Sequence, residues 1–232
     1  LYVADMSGWT ADRTLTLPAT AAVGDRVGVM VSAGDADYEW LITAASGDTL
    51  NGVSGGTEWS RVLITGEVLV MRCITANTTW VVEYDGRIPQ HGLMDLTTAA
   101  DGETAGTYTR PTQASSAGAW TSRIDVGGVV STANDYMLVR RAGKFQVSLG
   151  YAPKDAGVSG NYVNARIILN DSQEETGPSA TCGATGVNRC AASKLISMAA
   201  GDYIRYQYRT EAGSLGTAAF RGSFLSLMEL LP

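Results

Sequence analysis

Lys144-Phe145-Gln146-Val147-Ser148-Leu149-Gly150-Tyr151 alternates strictly between apolar residues and small or polar ones. A period of two marks a strand with one face in a core and the other away from it. The run therefore places Phe145, Val147, Leu149 and Tyr151 inward, and Gln146, Ser148 and Gly150 outward. It is the cleanest alternation in the chain, and it commits this region to sheet.

Similar runs extend in both directions from it. Residues 13–17, 25–31, 38–43, 67–75, 79–84, 121–130 and 136–140 precede it, and 161–169, 203–210 and 218–231 follow. Within 67–75, Leu69, Met71 and Cys73 share one side; within 203–210, Ile204, Tyr206 and Tyr208 do. Asn51-Gly52, Asp85-Gly86, Asn170-Asp171 and Gly201-Asp202 supply turn chemistry between runs. Short strands punctuated in this way predict an all-β chain. About seven or eight strands over residues 118–232 suit a sandwich or jelly roll.

Between residues 89 and 118 the aliphatic residues thin out and small polar ones take over. The expected organisation is a small N-terminal β domain over 1–89, a connector over 90–117 and a jelly-roll sandwich over 118–232. A short helix fits at 93–100 within the connector.

Composition narrows the classes further. Of 232 residues, 17% are charged, against about 25% in ordinary soluble domains. A coiled coil is excluded by that poverty of charge, and disorder by the 45% of hydrophobic residues. No stretch approaches the roughly 18 apolar residues of a membrane-spanning helix. The net charge of −6 belongs to residues 1–89, which carry eleven acidic and five basic side chains; residues 90–232 carry twelve of each. Neither part has the basic excess that nucleic acid requires. Arg140, Arg141 and Lys144 are the densest basic cluster and read as a solvated edge.

Catalytic and metal motifs are sparse. His91 is the single histidine and reads as an exposed connector residue rather than a general base. With one histidine and three cysteines, a zinc site lacks ligands. Asp35, Asp37 and Glu39 alternate as calcium ligands do, but the glycine and glutamate of a full calcium loop are missing, so a solvated turn is the simpler reading. The acidic run at 171–175 reads the same way. Neither a cofactor nor a metal is expected. Cys182 and Cys190 bracket a short loop with two glycines and are read as a disulfide pair; Cys73 reads as a buried free thiol.

Aromatic residues carry more information. Trp9, Trp40, Trp59 and Trp80 all fall in the first 90 residues, where they read as core, with sugar stacking as the functional alternative. Tyr206 and Tyr208 on one run, Phe145 on another and Phe224 in the terminal apolar run suggest strands covered on both faces. These four residues are the expected subunit interface.

Two resemblances follow from these residues. Residues 141–149, 165–170, 195–204 and 220–230 resemble, in order, four strands of the tumour-necrosis-factor and complement-globular-head jelly rolls. The closing aromatic of that pattern is replaced here by Met228-Glu229-Leu230-Leu231. The resemblance implies a compact homotrimer and transfers no catalytic residue. Residues 15–19, 23–29, 47–52 and 77–82 resemble a module of bacteriophage tail-fibre and virion-appendage proteins. Together they imply a trimeric, non-enzymatic appendage of a tailed phage, joined to other virion proteins through its N-terminal side and attaching to a host-surface glycan. A capsid-attached head fibre or decoration protein has the same architecture. A capsule-degrading depolymerase or a secreted lectin-like module is the alternative of another class. The sequence does not place the glycan contact, nor does it distinguish tail from head.

Overall fold

A computed structural model describes residues 1–35, 37–96, 120–151, 162–172, 177, 179–183, 190–210 and 223–231. The chain forms two compact units, Leu1–Ile88 and Pro89–Pro232.

The first unit contains β1 (Tyr2–Asp5), β2 (Arg13–Thr16), β3 (Arg26–Ala33), β4 (Trp40–Thr43), β5 (Thr49–Leu50), β6 (Val53–Ser54), β7 (Ser60–Val62), β8 (Val68–Thr75) and β9 (Thr79–Gly86). A six-stranded sheet runs β1-β3-β8-β9-β5-β6, and a three-stranded sheet runs β2-β4-β7. The alternation in β8 works as its sequence implies: Leu69, Met71 and Cys73 are buried with Val29, Val31, Leu50 and Trp80. Glu67 is fully buried just ahead of β8. Its carboxylate accepts the N–H groups of Leu63 (2.6 Å), Ile64 (3.0 Å) and Ile88 (3.0 Å). One acidic side chain thus holds a tight turn and the last residue of the unit.

The second unit contains β10 (His91–Leu96), β11 (Trp120–Val126), β12 (Val130–Ser131), β13 (Tyr136–Leu138), β14 (Gly143–Tyr151), β15 (Tyr162–Leu169), β16 (Ser179–Gly183), β17 (Cys190–Met198), β18 (Tyr203–Thr210) and β19 (Phe224–Leu230). Two five-stranded sheets form, ordered β11-β10-β19-β14-β17 and β12-β13-β18-β15-β16. Every pairing is antiparallel. From β14 onward the chain passes between the two sheets. That is the topology of a jelly-roll sandwich. The core lies between the sheets, with Phe145, Val147, Leu149, Leu225 and Leu227 facing Ala165, Ile167, Ile204, Tyr206 and Tyr208. The quoted β14 run is thereby explained, except that the side chain of Tyr151 lies outside the described residues. Gly150 faces outward yet is buried, because the Phe224 ring lies where its Cβ would stand.

Two expectations fail here. His91–Leu96 is a strand in the first sheet, bonded to both β11 and β19, so it is neither connector nor helix. Gly92, Met94 and Leu96 point inward from it. The rest of the expected connector, 97–117, lies outside the described residues. Arg140 and Arg141 are buried, not a solvated edge. Arg141 grips Glu229 through two bonds, Nε to Oε1 at 3.0 Å and Nη2 to Oε2 at 2.8 Å. Gln90, also buried, donates its backbone N–H (3.0 Å) and its Nε2 (3.2 Å) to Glu229 Oε2, and its Oε1 accepts the N–H of Arg140 (2.8 Å). Charge is tolerated in this interior because each charged head has a partner. Lys144 remains exposed, as read.

Candidate functional site

The first sheet of the second unit has an outer face of unusual chemistry. Alternation turns His91 and Leu93 of β10 away from the core, with Phe224, Ser226, Met228 and Leu230 of β19. Gln146 and Ser148 of β14 and Ser193 and Leu195 of β17 join them. The register lines them up across the sheet. His91, Met228, Gln146 and Leu195 form one row; Leu93, Ser226, Ser148 and Ser193 form the next. Charge is confined to the ends, with Lys144 beside Leu230 and an Asp95–Arg123 ion pair (2.8 Å) opposite. Leu195 is 64% exposed, Leu230 38% and Met228 36%. Such a contiguous, nearly uncharged face is the kind of surface that proteins cover with a partner.

The residues expected at the subunit interface do not line that face. Phe145, Tyr206 and Tyr208 are buried in the unit's own core, where Tyr206 packs edge-on against Trp120 at 5.7 Å. The aromatics expected at a subunit contact are covered on their inner side by the facing sheet of the same chain. Phe224 alone reaches the outer face, lying half-buried over Gly150. His91, expected to be exposed, is a half-buried strand residue on this face. Cys182 and Cys190 have backbones in β16 and β17; their side chains and the loop between them lie outside the described residues. Cys73 is a buried free thiol.

Asp35, Glu39 and Asp171 serve structure, while Glu174 and Glu175 of the 171–175 run lie outside the described residues. The Asp35 carboxylate accepts the N–H groups of Asp37 (2.7 Å) and Tyr38 (3.1 Å). Glu39 is buried against Arg61, which also grips Glu58 at 2.6 Å. Those carboxylates raise the Arg61 pKa above its ordinary value, chiefly through the hydrogen bonds that Arg61 donates to Glu58. Asp171 pairs with Arg205, whose guanidinium sits 5.2 Å from the Tyr136 ring and 5.0 Å from the Tyr203 ring on the outer face of the other sheet. Among the described residues no group of three or more His, Cys, Asp or Glu side chains is arranged to hold a metal.

The tryptophans divide in two. Trp80 and Trp40 are core. Trp9 and Trp59 pack on the core's margin, each with a guanidinium over its ring, Arg13 at 4.7 Å and Arg87 at 4.9 Å. Trp9 also meets Trp40 edge-on at 6.3 Å. Around Trp9, β1 and β2 flank a groove of about 340 Å³ lined by Tyr2, Asp5, Trp9, Arg13, Thr14 and Trp40 among others. The sequence signal for it was the tryptophan enrichment; nothing local pairs β1 with β2 residues across it.

The second unit is thus a jelly-roll module with one nearly uncharged outer face. No protein-family model matches the chain, and no curated protein matches it. Solved structures to which it is similar include murine APRIL at pH 8.0 (16% identity, TM-score 0.42, 61% of this chain and 100% of that one). PRD1 vertex protein P5 matches with 15% identity and a TM-score of 0.44, over 61% of this chain and 97% of that one. The globular domain of zebrafish complement 1qA protein matches at 7% identity and TM-score 0.41, over 61% and 98%. The strand order above defines the fold without them.

Proposed function

We propose that this chain is a non-enzymatic virion appendage protein of a tailed phage, assembled as a homotrimer and serving attachment to a host-surface glycan. The observation that carries the assembly part of this reading is the nearly uncharged outer face of the β11-β10-β19-β14-β17 sheet. Exposed Leu195, Met228 and Leu230 with a serine row beside them favour close approach of another sheet of the same kind. Three copies follow from the jelly-roll resemblance, and the virion setting from the order of the N-terminal and C-terminal resemblances. Three sites on one particle-borne assembly raise avidity without a tight single site. The likeness to a phage vertex protein accords with this reading and does not carry it.

Light scattering on the eluting peak of a sizing column is expected to give three chains. Met228→Glu with Leu195→Glu is expected to give a folded monomer. A monomeric wild-type protein would end the trimer reading. Binding of the whole protein to host cells tests attachment. Reducing ends released from host polysaccharide would overturn the non-enzymatic reading.

A further inference from the structure

We propose that the groove between β1 and β2 is a binding site for a neutral glycan. This rests on the attachment function above and gives it a location and a ligand class.

A pyranose presents an apolar C–H face and a rim of hydroxyls, each of which both donates and accepts. The groove offers complementary parts. Tyr2 is 51% exposed and offers an aromatic surface to an apolar sugar face, while Trp9, half-buried beneath the Arg13 guanidinium, forms the groove wall beside it. Trp40 backs Trp9 from within the core. On the same rim stand Asp5, which only accepts when ionised, and Arg13, which only donates. The Ser7 hydroxyl (2.6 Å) and N–H (3.1 Å) bind the Asp5 carboxylate and hold its pKa below the usual aspartate value. Arg13 is exposed and held by Trp9, with its guanidinium 4.7 Å from the ring centre. A volume of about 340 Å³ lies within the range of small-ligand sites, about 300–1,000 Å³.

Charge selects the class of sugar. A carboxylated sugar would meet Asp5 inside a region that already carries −6. An amino sugar would meet Arg13. A neutral polyol can donate to one and accept from the other. In the other two aromatic clusters the charges are paired with each other: Asp171 engages both the Arg205 guanidinium and the Tyr203 hydroxyl (3.1 Å), and Asp85 grips Arg87 over Trp59 (2.6 Å).

The test is a panel of neutral, carboxylated and amino-sugar oligosaccharides offered to the whole protein, with hits followed by tryptophan fluorescence. Neutral members are expected to bind. Tyr2→Ala and Arg13→Ala are expected to weaken binding about fivefold to tenfold each with the thermal melt unchanged, since neither side chain is buried. Trp9→Phe, which keeps an aromatic against the core, is expected to weaken binding and alter the fluorescence response. Should Tyr2→Ala and Arg13→Ala bind like wild type, the site is elsewhere while attachment stands. Binding confined to carboxylated or amino sugars overturns the ligand class. A wild-type protein that binds neither host cells nor any oligosaccharide overturns the attachment function and this site together.

Discussion

Glu229→Gln is the most informative single change in the second unit. It removes the charge that balances Arg141 while keeping the side chain's shape. Arg141 and Glu229 are both buried and joined by bonds of 3.0 and 2.8 Å. The amide keeps one acceptor oxygen for the partners of Oε2, but its NH2 group stands where Oε1 accepted from Arg141 Nε, so that bond is lost and donor faces donor. An uncompensated buried guanidinium costs about 3–5 kcal/mol. With a urea m-value of about 2 kcal/mol/M, the unfolding midpoint of this unit falls by about 2 M. Far-UV circular dichroism in urea at fixed protein concentration reads the shift, and the transition of the Leu1–Ile88 unit serves as an unmoved reference. Arg141→Met combined with Glu229→Gln is expected to cost less than the sum of the two single changes by about 1–3 kcal/mol, because the second removes a charge already orphaned. A loss below about 1 kcal/mol for Glu229→Gln, or strict additivity in the cycle, would refute the reasoning.

Two glycines give a paired expectation. A Cβ at Gly55 would collide with the backbone carbonyl of Ala45, whereas one at Gly150 would meet the Phe224 ring, which is half-buried and can turn away. Thermal melts should therefore place Gly55→Ala near the top, and Gly150→Ala near the bottom, of the about 1–3 kcal/mol typical of overpacking. The Glu83 carboxyl is held below its ordinary pKa, first by the hydrogen bond from Arg26. Its contribution is present above the ordinary carboxylate range and fades as pH falls through the lowered value. A carboxyl NMR titration should return Glu83 upward in Arg26→Ala, and an unchanged titration would remove that cause. For the proposed Cys182–Cys190 bridge, a thiol count in denaturant without reductant should find one free thiol per chain, Cys73; three would remove the bridge.

The sandwich was legible because its signals are local. Period-two runs such as β14 and β8 bury the side that their alternation indicates. What failed to show was non-local. Gly92 occupies an inward position of β10 where a hydrophobe would have revealed the strand, and it does so because Val129 Cγ2 lies 2.9 Å from where a Cβ would stand. Arg141 looks like surface until Glu229 arrives from 88 residues away, and Arg140 until Gln90 and Gly127 supply its partners. Phe145, Tyr206 and Tyr208 suggested a second chain because a run of aromatics reports burial without saying which layer supplies it. Of the candidate sites, the tryptophan enrichment was visible in sequence. The groove was not, since it depends on two strand edges meeting in space.

β10 and β19 lie side by side in one sheet, although they are the first and last strands of their unit. Between them the ribosome must synthesise some 130 residues, so the chain's most distant pairing closes last. Long-range pairing of this kind slows folding and leaves strand edges open meanwhile. On a nascent chain the half-made sheet therefore waits with β14 and β10 unjoined, a gap that only Phe224–Leu230 can fill. A message truncated ahead of that strand would yield no smaller version of the module. It would yield an open sandwich with two unpaired strand edges.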